Sequence, residues 1–561
     1  MSSSGNLIQP IYGNSPFLQN KFSSFRFMKR FLVVFFLSLI TAACCLPSYG
    51  KTYYLKDRNF YADGKSNDYD AFRKLAEEVN SRGRGKIVFE KNKTYYVEVP
   101  ETNNERSTSL PQDDVTILGF RNCKKLDIDM NGATIVVGPN HRMEYCIFVL
   151  FNCSGFKLHN GNLVGDAIGH DYSKVTRNGK IVDCSHEWGY GMTLRGSQGS
   201  VYNMNVSYMT GDGIYTGSIK YQDSVYHSRL NIHDCKVSHC RRNGITIASS
   251  EGITIDNVNI HHIGTYDGIQ GTNPQTGIDI EYEDGVYDTG DIHIIDCNFA
   301  DCTRRGISTS NSTPPTPLHF YLKRSSFTRA DVLLNNMKQG ESKNVSECVF
   351  NQSCLMAGDA FVQNCQFNLG KHITYISKSH FKDCEFNGIP VSEKSTDKGC
   401  AFAGFSLDQT TFEGCSFNNI QGNSTGNVVY QGFSGYIYPL NVEFINCTFQ
   451  NTSFCRGGSD KKSQFVFKNC TLEPGCTIVN LDSEEVSFSG CSLYDVNSYV
   501  TQGGHFNFID CDIHQTDNNV KNPLILYGTH KMKNCTVVNE IDIPADAKKR
   551  GIKSYKIDII K

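Results

Sequence analysis

The stretch Phe506-Asn507-Phe508-Ile509-Asp510-Cys511-Asp512-Ile513 decides the fold, because it is one copy of a phrase that recurs along the chain. In each copy a short alternating strand leads to a turn-forming residue, then Cys, any residue and an apolar residue. From Cys447 to Cys535 consecutive copies lie 20 to 24 residues apart, and a period in the low twenties is typical of a solenoid. The phrase is centred on these cysteines: Cys235, Cys297, Cys348, Cys365, Cys384, Cys415, Cys447, Cys470, Cys491, Cys511 and Cys535.

Each coil of this solenoid is predicted to contain three strands. The residue before the Cys is Asp, Asn, Gly or Glu, and most of these types accept the left-handed backbone of a sharp bend. The Cys and the apolar residue two positions later then point to the same face, which we predict to be the interior. A third strand is marked by Gly followed by Ile, as in Gly244-Ile245 and Gly277-Ile278. Three strands and three turns in each coil predict an all-β, single-stranded parallel β-helix.

The segment that precedes the coils supplies a second set of features. Asp63-Gly64 is followed by the Asx cluster Asn67-Asp68-Tyr69-Asp70, by apolar residues at helical spacing, and by the strand Gly85-Lys86-Ile87-Val88-Phe89. The helical positions are Ala71, Phe72, Leu75, Ala76 and Val79, and Tyr95 follows the strand.

With these features the chain resembles the pectate-lyase-like right-handed parallel β-helix superfamily, of the secreted bacterial glycan-active type. The resemblance implies a right-handed solenoid whose N-terminal end is capped by the short helix. It departs from the family where Lys91-Asn92-Lys93-Thr94 replaces the usual Pro-x-Gly before Tyr95. The Asn-Thr-Asp, Asp-Asp and His-Gly phrases of polygalacturonase-type hydrolases are absent in order, as is the Asp-Pro-His of alginate epimerases. We therefore disfavour those two activities.

Four regions follow from these patterns. Residues 1-50 are an N-terminal extension plus signal peptide, 51-110 a cap segment, 111-540 the right-handed parallel β-helix, and 541-561 a C-terminal tail or cap. The 561 residues carry a net charge of -2, with 39% hydrophobic and 20% charged residues. This composition is that of a globular protein, and it argues against a nucleic-acid partner.

The first region predicts export. An apolar run from Phe31 to Ala43 follows a basic pair; it is too short to span a bilayer and has the length of a signal-peptide core. Translation is expected to start at Met28, with cleavage after Gly50, or with lipidation at Cys44 as the alternative. We expect a periplasmic, lipoprotein or extracellular monomer that has no transmembrane anchor after cleavage.

The 23 cysteines are predicted to be small buried apolar residues. A zinc site is disfavoured because the sequence lacks paired Cys-x2-Cys clusters. Disulfides would suit an exported chain but do not explain the regular spacing, which burial explains by itself.

Two carboxylates are predicted to project from one Gly-Ile strand. Aligning successive strands on the Ile puts Tyr215, Thr246, Asp279 and Ser308 at one outward position, and Glu281 lies two residues beyond Asp279. Arg242 and Arg305 stand near the starts of the neighbouring strands. Such a cluster suits a general acid and base, Ca²⁺ ligation, or charge stabilisation during elimination from a uronate.

Neighbouring loops supply further candidates. His261, His262 and Tyr266 are candidate proton carriers, and Asp267 a substrate contact. The acids after Glu281 give a possible Ca²⁺ site formed by Asp279, Glu281, Glu283 and Asp284, or a solvated acidic turn. An insertion from Asp166 to Tyr190 holds the only tryptophan, Trp188, which is a sugar-stacking candidate if exposed and a core residue if not.

These residues lead to one preferred function and two alternatives. The preferred one is an exported polysaccharide lyase or related enzyme acting on an acidic polysaccharide. In it Ca²⁺ or the arginines Arg242, Arg304 and Arg305 neutralise the uronate, and the histidine loop takes the proton. A glycoside hydrolase that uses Asp279 and Glu281 is the second function, and a non-catalytic glycan-binding protein or surface adhesin the third. The predicted substrate contacts are Trp188, Tyr215, Asp212, Arg304 and Asp267, and the predicted partner is a polysaccharide or oligosaccharide.

Overall fold

The computed structural model describes most of the chain after the predicted signal peptide. Its described residues are 50–101, 115–173, 176–177, 180–181, 186–282, 286, 290–309, 319–334, 342–369, 376–388, 409–420, 441–455, 464–479, 485–499, 505–520, 529–539 and 557–559. The apolar run from Phe31 to Ala43, the alternative lipidation residue Cys44, and the candidate metal ligands Glu283 and Asp284 lie outside them. Within these ranges no helix is both long and apolar enough to cross a membrane.

The predicted capping helix is present as α1, Tyr69–Arg82, after a 3-10 turn at Leu55–Asp57. Its apolar stripe faces the core, with Phe72, Leu75 and Val79 fully buried. The helix ends at Gly83, whose φ of 64° is the left-handed conformation that glycine adopts without strain. The Asn80 side chain donates to Gly119 O at 2.8 Å and accepts from Arg121 N at 3.0 Å. Asn80 of the helix therefore supplies the hydrogen-bond partners of two backbone groups, Gly119 O and Arg121 N, in the strand Thr116–Arg121.

The coils stack into three parallel sheets, which we name sheets A, B and C in the order in which the chain visits them. Sheets A and B are joined through two long strands, Ser154–Val164 and Gln198–Ser207, which pair in both. Sheet A consists, besides these two, of Thr52–Tyr54, Gly85–Val88, Leu126–Asp129, Arg229–His233, Gly252–Asp256, Asp291–Ile295, His319–Lys323, Ser342–Ser346, Ala360–Gln363, His380–Lys382, Thr410–Glu413, Asn441–Ile445, Gln464–Lys468, Glu485–Ser489, His505–Ile509, Thr529–Lys533 and Ile557–Ile559.

Sheet B follows the sharp turn in each coil. Its further strands are Asp63–Asn67, Thr94–Val97, Thr134–Val137, Lys236–Ser238, Asn259–Ile263, Asn298–Cys302, Ser326–Thr328, Val349–Asn351, Gln366–Leu369, Glu385–Gly388, Ser416–Asn418, Thr448–Gln450, Thr471–Leu472, Ser492–Tyr494, Asp512–Gln515 and Thr536–Asn539.

Sheet C contains the predicted Gly-Ile strands. It consists of Thr116–Arg121, Glu144–Phe151, Trp188–Arg195, Ile214–Gly217, Ile245–Ala248, Thr276–Glu281, Arg305–Thr309, Val332–Leu334, Leu355–Gly358 and Ile376–Ser377. Ser453–Cys455, Thr477–Val479 and Asn497–Tyr499 form a separate three-stranded parallel sheet later in the chain. Two antiparallel hairpins complete the described strands: Thr176–Arg177 with Lys180–Ile181, and Ile219–Tyr221 with Ser224–Tyr226.

The turn before each phrase cysteine has the predicted left-handed backbone. Asp296, Asn364, Asn446 and Asp510 have φ of 53°, 53°, 54° and 55°. All cysteines with described side chains are free, and all of them except Cys354 and Cys535 are buried. The predicted inward file of buried cysteines is therefore confirmed for the described residues, and no disulfide joins them.

Stacked rings fill the interior beside the thiols. The rings of Phe299, Phe327, Phe350 and Phe367 stack on successive coils with centroid distances of 4.7, 5.0 and 4.7 Å. These distances match the separation of paired strands, because one apolar position is repeated in register. The long apolar core therefore follows directly from the sequence period.

The Gly-Ile strands need their glycines because the coils approach closely. A Cβ on Gly244 would lie 2.5 Å from Gly277 O, and a Cβ on Gly277 would lie 2.5 Å from Gly306 O. No side chain fits at these positions without movement of the backbone. The close approach stacks the sheet C strands in register and thereby sets the spacing of the candidate site.

Candidate active site

The strand register of sheet C places the predicted outward residues in one file. Tyr215 pairs with Thr246, Thr246 with Asp279, and Asp279 with Ser308. Ala248 pairs with Glu281. Because Asp279 and Glu281 lie two residues apart on one strand, their side chains project to the same side. The alignment predicted from the Gly-Ile phrase is correct for these residues.

Asp279 and Glu281 form a coupled acid pair. Asp279 is only 5% exposed, whereas Glu281 is half-buried. Burial, together with the hydrogen bond and charge of Glu281, raises the pKa of Asp279 to about 8. An ionised Asp279 would be poorly solvated and repelled by its neighbour, so the pair retains a proton at neutral pH.

Arg242 lies between this pair and a third carboxylate. Its guanidinium contacts Asp212 Oδ2 at 2.8 Å and Glu281 Oε1 at 3.4 Å. Burial opposes the charge, but Asp212 and Glu281 raise the pKa of Arg242 above its ordinary value. Arg242 therefore stays cationic and balances the negative charge of the cluster.

Asp212 differs from its predicted role. It was expected to contact substrate, but it is fully buried, and burial raises its pKa to about 6. Its carboxyl accepts hydrogen bonds from Asn243 N at 3.1 Å and Thr246 Oγ1 at 2.8 Å. Asp212 is thus a positioning residue that holds Arg242, and Asn243 and Thr246 are positioning residues that the sequence patterns did not reveal.

The remaining arginines lie on the next coil. Arg305 begins the strand that pairs with Thr276–Glu281, and its guanidinium donates to Ser308 Oγ at 3.1 Å. Burial and the adjacent Arg304 lower the pKa of Arg305. Arg304 is exposed and forms no ion pair with the described residues. Both arginines therefore lie on the coil that follows the acid pair, as the sequence alignment predicted.

The histidine loop forms a separate cluster at the end of a sheet B strand. His261 Nδ1 lies 2.8 Å from His262 Nδ1, and the ring of His262 stacks on His239 at 5.0 Å. Burial, together with Lys236 and His262, lowers the pKa of His261 to about 4. None of the hydrogen bonds or ring contacts of these histidines reaches Asp279 or Glu281.

Tyr266 and Asp267 lie in the loop that follows these histidines. The Tyr266 hydroxyl donates to the backbone carbonyl of His239, and burial raises the pKa of this tyrosine. Asp267 is exposed, in a left-handed conformation with φ of 45°. The structure therefore does not bring the predicted proton carriers into contact with the acid pair.

Aromatic residues lie two and three coils before the acid pair on sheet C. Trp188 was predicted inside an insertion, but it is the first residue of the strand Trp188–Arg195. The rings of Tyr190 and Tyr215 stack at 5.3 Å with an interplanar angle of 6°, and Trp188 packs against the same cluster. Trp188 and Tyr215 keep partial exposure. The contact of these two residues with a sugar ring stays a prediction.

A buried hydrogen-bonded chain leads into this aromatic cluster. Asp166 accepts from Tyr145 Oη at 2.9 Å and lies 2.7 Å from His170 Nδ1. His170 Nε2 is 2.8 Å from His186 Nδ1, and burial, with His170 and Arg241, lowers the pKa of His186 to about 4. The clustering of histidines and acids within the insertion was the only sequence signal of this chain of contacts.

The described residues contain no group of three or more His, Cys, Asp or Glu side chains arranged to hold a metal ion. Asp279 and Glu281 project to the same side of one strand, and carboxylate oxygens are the ligand type that Ca²⁺ binds. Because Glu283 and Asp284 lie outside the described ranges, the binding of Ca²⁺ at this position stays a prediction.

Comparisons with known proteins support the architecture. A family model described as "Right handed beta helix region" matches residues 222–316, which include the acid pair. The chain is 30% identical over 190 residues to the SPbeta prophage-derived uncharacterized protein YorA of Bacillus subtilis (strain 168), covering 32% of this chain and 31% of that one. It is 31% identical over 169 residues to the uncharacterized protein YclG of the same strain, covering 29% and 28%. The chain thus matches less than a third of the length of either relative.

Two solved structures resemble this chain at low sequence identity and low TM-score. The A-module of the Azotobacter vinelandii mannuronan C-5 epimerase AlgE6 is 12% identical, with 87% of this chain and 99% of that chain covered and a TM-score of 0.32. The tailspike protein of E. coli bacteriophage HK620, solved with a pentasaccharide, is 12% identical, with coverages of 87% and 78% and a TM-score of 0.37. Together with the parallel sheets, the family match shows a right-handed parallel β-helix.

Proposed function

We propose that the chain is an exported carbohydrate-active enzyme that hydrolyses glycosidic bonds of a polysaccharide on the outer face of sheet C. The observation that carries this proposal is the acid pair, in which burial and Glu281 raise the pKa of Asp279 to about 8. A carboxylic acid that stays protonated at neutral pH beside a second carboxyl is the arrangement that glycoside hydrolysis requires.

Each residue of the cluster has a role in this reaction. Asp279 donates its proton to the glycosidic oxygen as the bond to the anomeric carbon breaks. Glu281 takes a proton from water, whose oxygen bonds to that carbon, so one water is consumed for each bond cleaved. Arg242 stabilises the carboxylate of Glu281, and Asp212 holds Arg242. The two carboxyls are hydrogen-bonded to each other, so substrate and water must separate them before the general acid and the general base can act on opposite sides of the bond.

This geometry favours hydrolysis over elimination. A lyase needs cationic groups for the substrate carboxylate, but Arg242 is engaged by Asp212 and Glu281. The predicted proton carriers His261 and Tyr266 make their contacts in another cluster. Arg304 and Arg305 on the next coil are cationic side chains that can bind the carboxylate of an acidic sugar. An acidic polysaccharide therefore stays within the proposed substrate class.

The test is an activity screen of the purified chain on neutral and uronate-containing polysaccharides, with and without chelator. We expect new reducing ends without the absorbance of an unsaturated sugar. Asp279→Asn and Glu281→Gln should each lower kcat by at least about 100-fold. The matched control is Glu443→Gln, a half-buried sheet A acid paired with Lys468, which should change kcat less than twofold.

Each other outcome identifies a different function. An unsaturated product would refute hydrolysis in favour of elimination, and activity lost on chelation would show that a metal ion takes part. Binding of a polysaccharide without turnover would support the non-catalytic alternative. Full activity in Asp279→Asn would show that the chemistry lies elsewhere in the chain.

A further inference from the structure

The outer face of sheet C is covered along its first coils. Every residue of Glu144–Phe151 is buried, including Cys146 and Val149, which belong to an apolar cluster outside the solenoid core. In the next strand, Trp188–Arg195, only Trp188 is partly exposed. Further along the axis the outer face is accessible in part: Glu281, Arg305, Leu333 and Met356 are partly exposed, whereas the smaller side chains of Thr246, Asp279 and Ser308 are buried among their neighbours.

A hairpin covers the end of these first strands. Ile219–Tyr221 and Ser224–Tyr226 pair in antiparallel fashion, and the rings of Tyr221 and Tyr226 contact Phe151 at 5.1 and 5.0 Å. Phe151 pairs with Arg195, and Arg195 with Gly217. The hairpin that follows Gly217 therefore reaches back over two coils toward the N-terminal end of the solenoid.

Close packing holds the hairpin in this position. Ile219 is fully buried, and the buried guanidinium of Arg195 donates to Ser218 O at 2.8 Å. A Cβ on Gly196 would lie 2.4 Å from Tyr226 Cβ, so the hairpin lies directly on the backbone of the preceding coil. The cover is thus a packed part of the fold.

The aromatic cluster forms the rest of the cover, and it too is anchored. Tyr190 is 6% exposed beneath Tyr215 and Trp188. The segment leading to Trp188 is fixed by the buried contacts from Asp166 through His170 to His186. The hairpin and the aromatic cluster therefore cover the outer face on the N-terminal side of Tyr215, and the coil of Thr246 lies between Tyr215 and the acid pair.

We propose that the binding groove on sheet C is closed at its N-terminal end, so that the enzyme cleaves short units from the end of a glycan chain. This inference rests on the proposed hydrolytic function. Tyr215 and Asp279 are two coils apart in register, which is about 10 Å and close to the length of a disaccharide. A chain that enters from the open side ends against Tyr215 and Trp188, and the bond at the acid pair lies one or two sugars from that end.

The experiment follows the products from the best polysaccharide of the screen through the first few per cent of turnover. We expect mono- or disaccharides as the only small products from the first time point, while the average length of the polymer hardly falls. An early ladder of longer oligosaccharides would overturn the closed end but leave hydrolysis intact. No turnover on any polysaccharide would refute the proposed function and this inference with it.

Binding gives a second readout that does not depend on turnover. The Asp279→Asn variant is titrated with one oligosaccharide that carries a bulky fluorophore at either its reducing or its non-reducing end. A closed groove should tolerate the label at one end and lose at least about tenfold in affinity at the other, since a blocked end cannot reach Tyr215. Equal affinities would overturn the proposal. Tyr215→Ala should remove the discrimination, whereas Phe361→Ala, an exposed aromatic on sheet A, should preserve it.

Discussion

Replacing Asp279 by Asn should stabilise the protein at alkaline pH while it abolishes activity. The carboxyl is 5% exposed and hydrogen-bonded to Glu281. The folded chain therefore keeps a proton there that the unfolded chain releases. Asn has nearly the same shape as the protonated acid and no charge to bury, so the variant avoids the free-energy cost of ionising this site.

The magnitude follows from the pKa. Burial and Glu281 raise it from 3.8 to about 8. Between these values the folded state binds more protons than the unfolded state, so the wild-type free energy of unfolding falls as pH rises, by about 1.4 kcal/mol for each pH unit. The stabilising contribution is complete below about pH 4 and is lost by about pH 8, a total of about 6 kcal/mol. The free energy of unfolding of the Asp279→Asn variant should lack this dependence on pH.

Urea denaturation of the wild type and of Asp279→Asn between pH 5 and pH 9 measures the effect. The stability difference should grow with pH in favour of the variant and level off above about pH 8. The control is Asp63→Asn, because backbone hydrogen bonds from Ser66 and Lys65 lower the pKa of Asp63 to about 2. The effect of Asp63→Asn on the free energy of unfolding should therefore not change between pH 5 and pH 9. Parallel curves for wild type and Asp279→Asn would refute the buried, protonated acid.

Four further outcomes are expected. The rate of hydrolysis should fall about tenfold for each pH unit above about pH 8, where Asp279 loses its proton; a pH–rate profile that stays flat to pH 10 would contradict this role. Arg242→Ala leaves Asp212 buried without its cation and should lower the free energy of unfolding by about 3 kcal/mol. Adding Asp212→Asn should restore most of this loss. An equal loss in the single and the double variant would exclude an energetic coupling between Arg242 and Asp212. Asn446→Val places a β-branched residue at a φ of 54° and should cost about 2 kcal/mol, whereas Thr448→Val on the same coil should be nearly neutral in the same urea titration. A thiol reagent should label the buried cysteines only after unfolding, and rapid labelling of the native chain would show that the file is accessible.

The repeated phrase was sufficient to predict most of the fold. A Cys in most coils, preceded by residues such as Asp510 and Asn446, predicts the left-handed turn, the inward thiol and the parallel stacking together. These features depend on local backbone preference and on side-chain alternation, both of which are properties of neighbouring residues. The N-terminal helix was predicted for the same reason, since Phe72, Leu75 and Val79 form a helical stripe.

The site was predicted only in part. The Gly-Ile alignment placed Asp279 and Glu281 on one strand face, because register follows from the period. It did not separate the histidines from the acid pair, since His261 lies on a strand of sheet B and the acid pair on a strand of sheet C. It also could not show that Asp212 is buried, because a Gly-Asp-Gly turn is usually exposed. The contacts of Asp212 with Arg242 and Thr246 depend on how two consecutive coils stack.

The sequence by itself determined the repeating coil, because each coil is specified by nearest neighbours along the chain and by stacking on identical neighbours. Only the tertiary structure decided the chemistry. The pKa of Asp279 is raised by the exclusion of water and by a carboxyl held against it, and both depend on the coils packed on either side. The covering hairpin after Gly217 is a further case, since its contacts with Phe151 join residues that are distant in sequence. Solvent exclusion is a property of the packed assembly of coils, and no single coil encodes it.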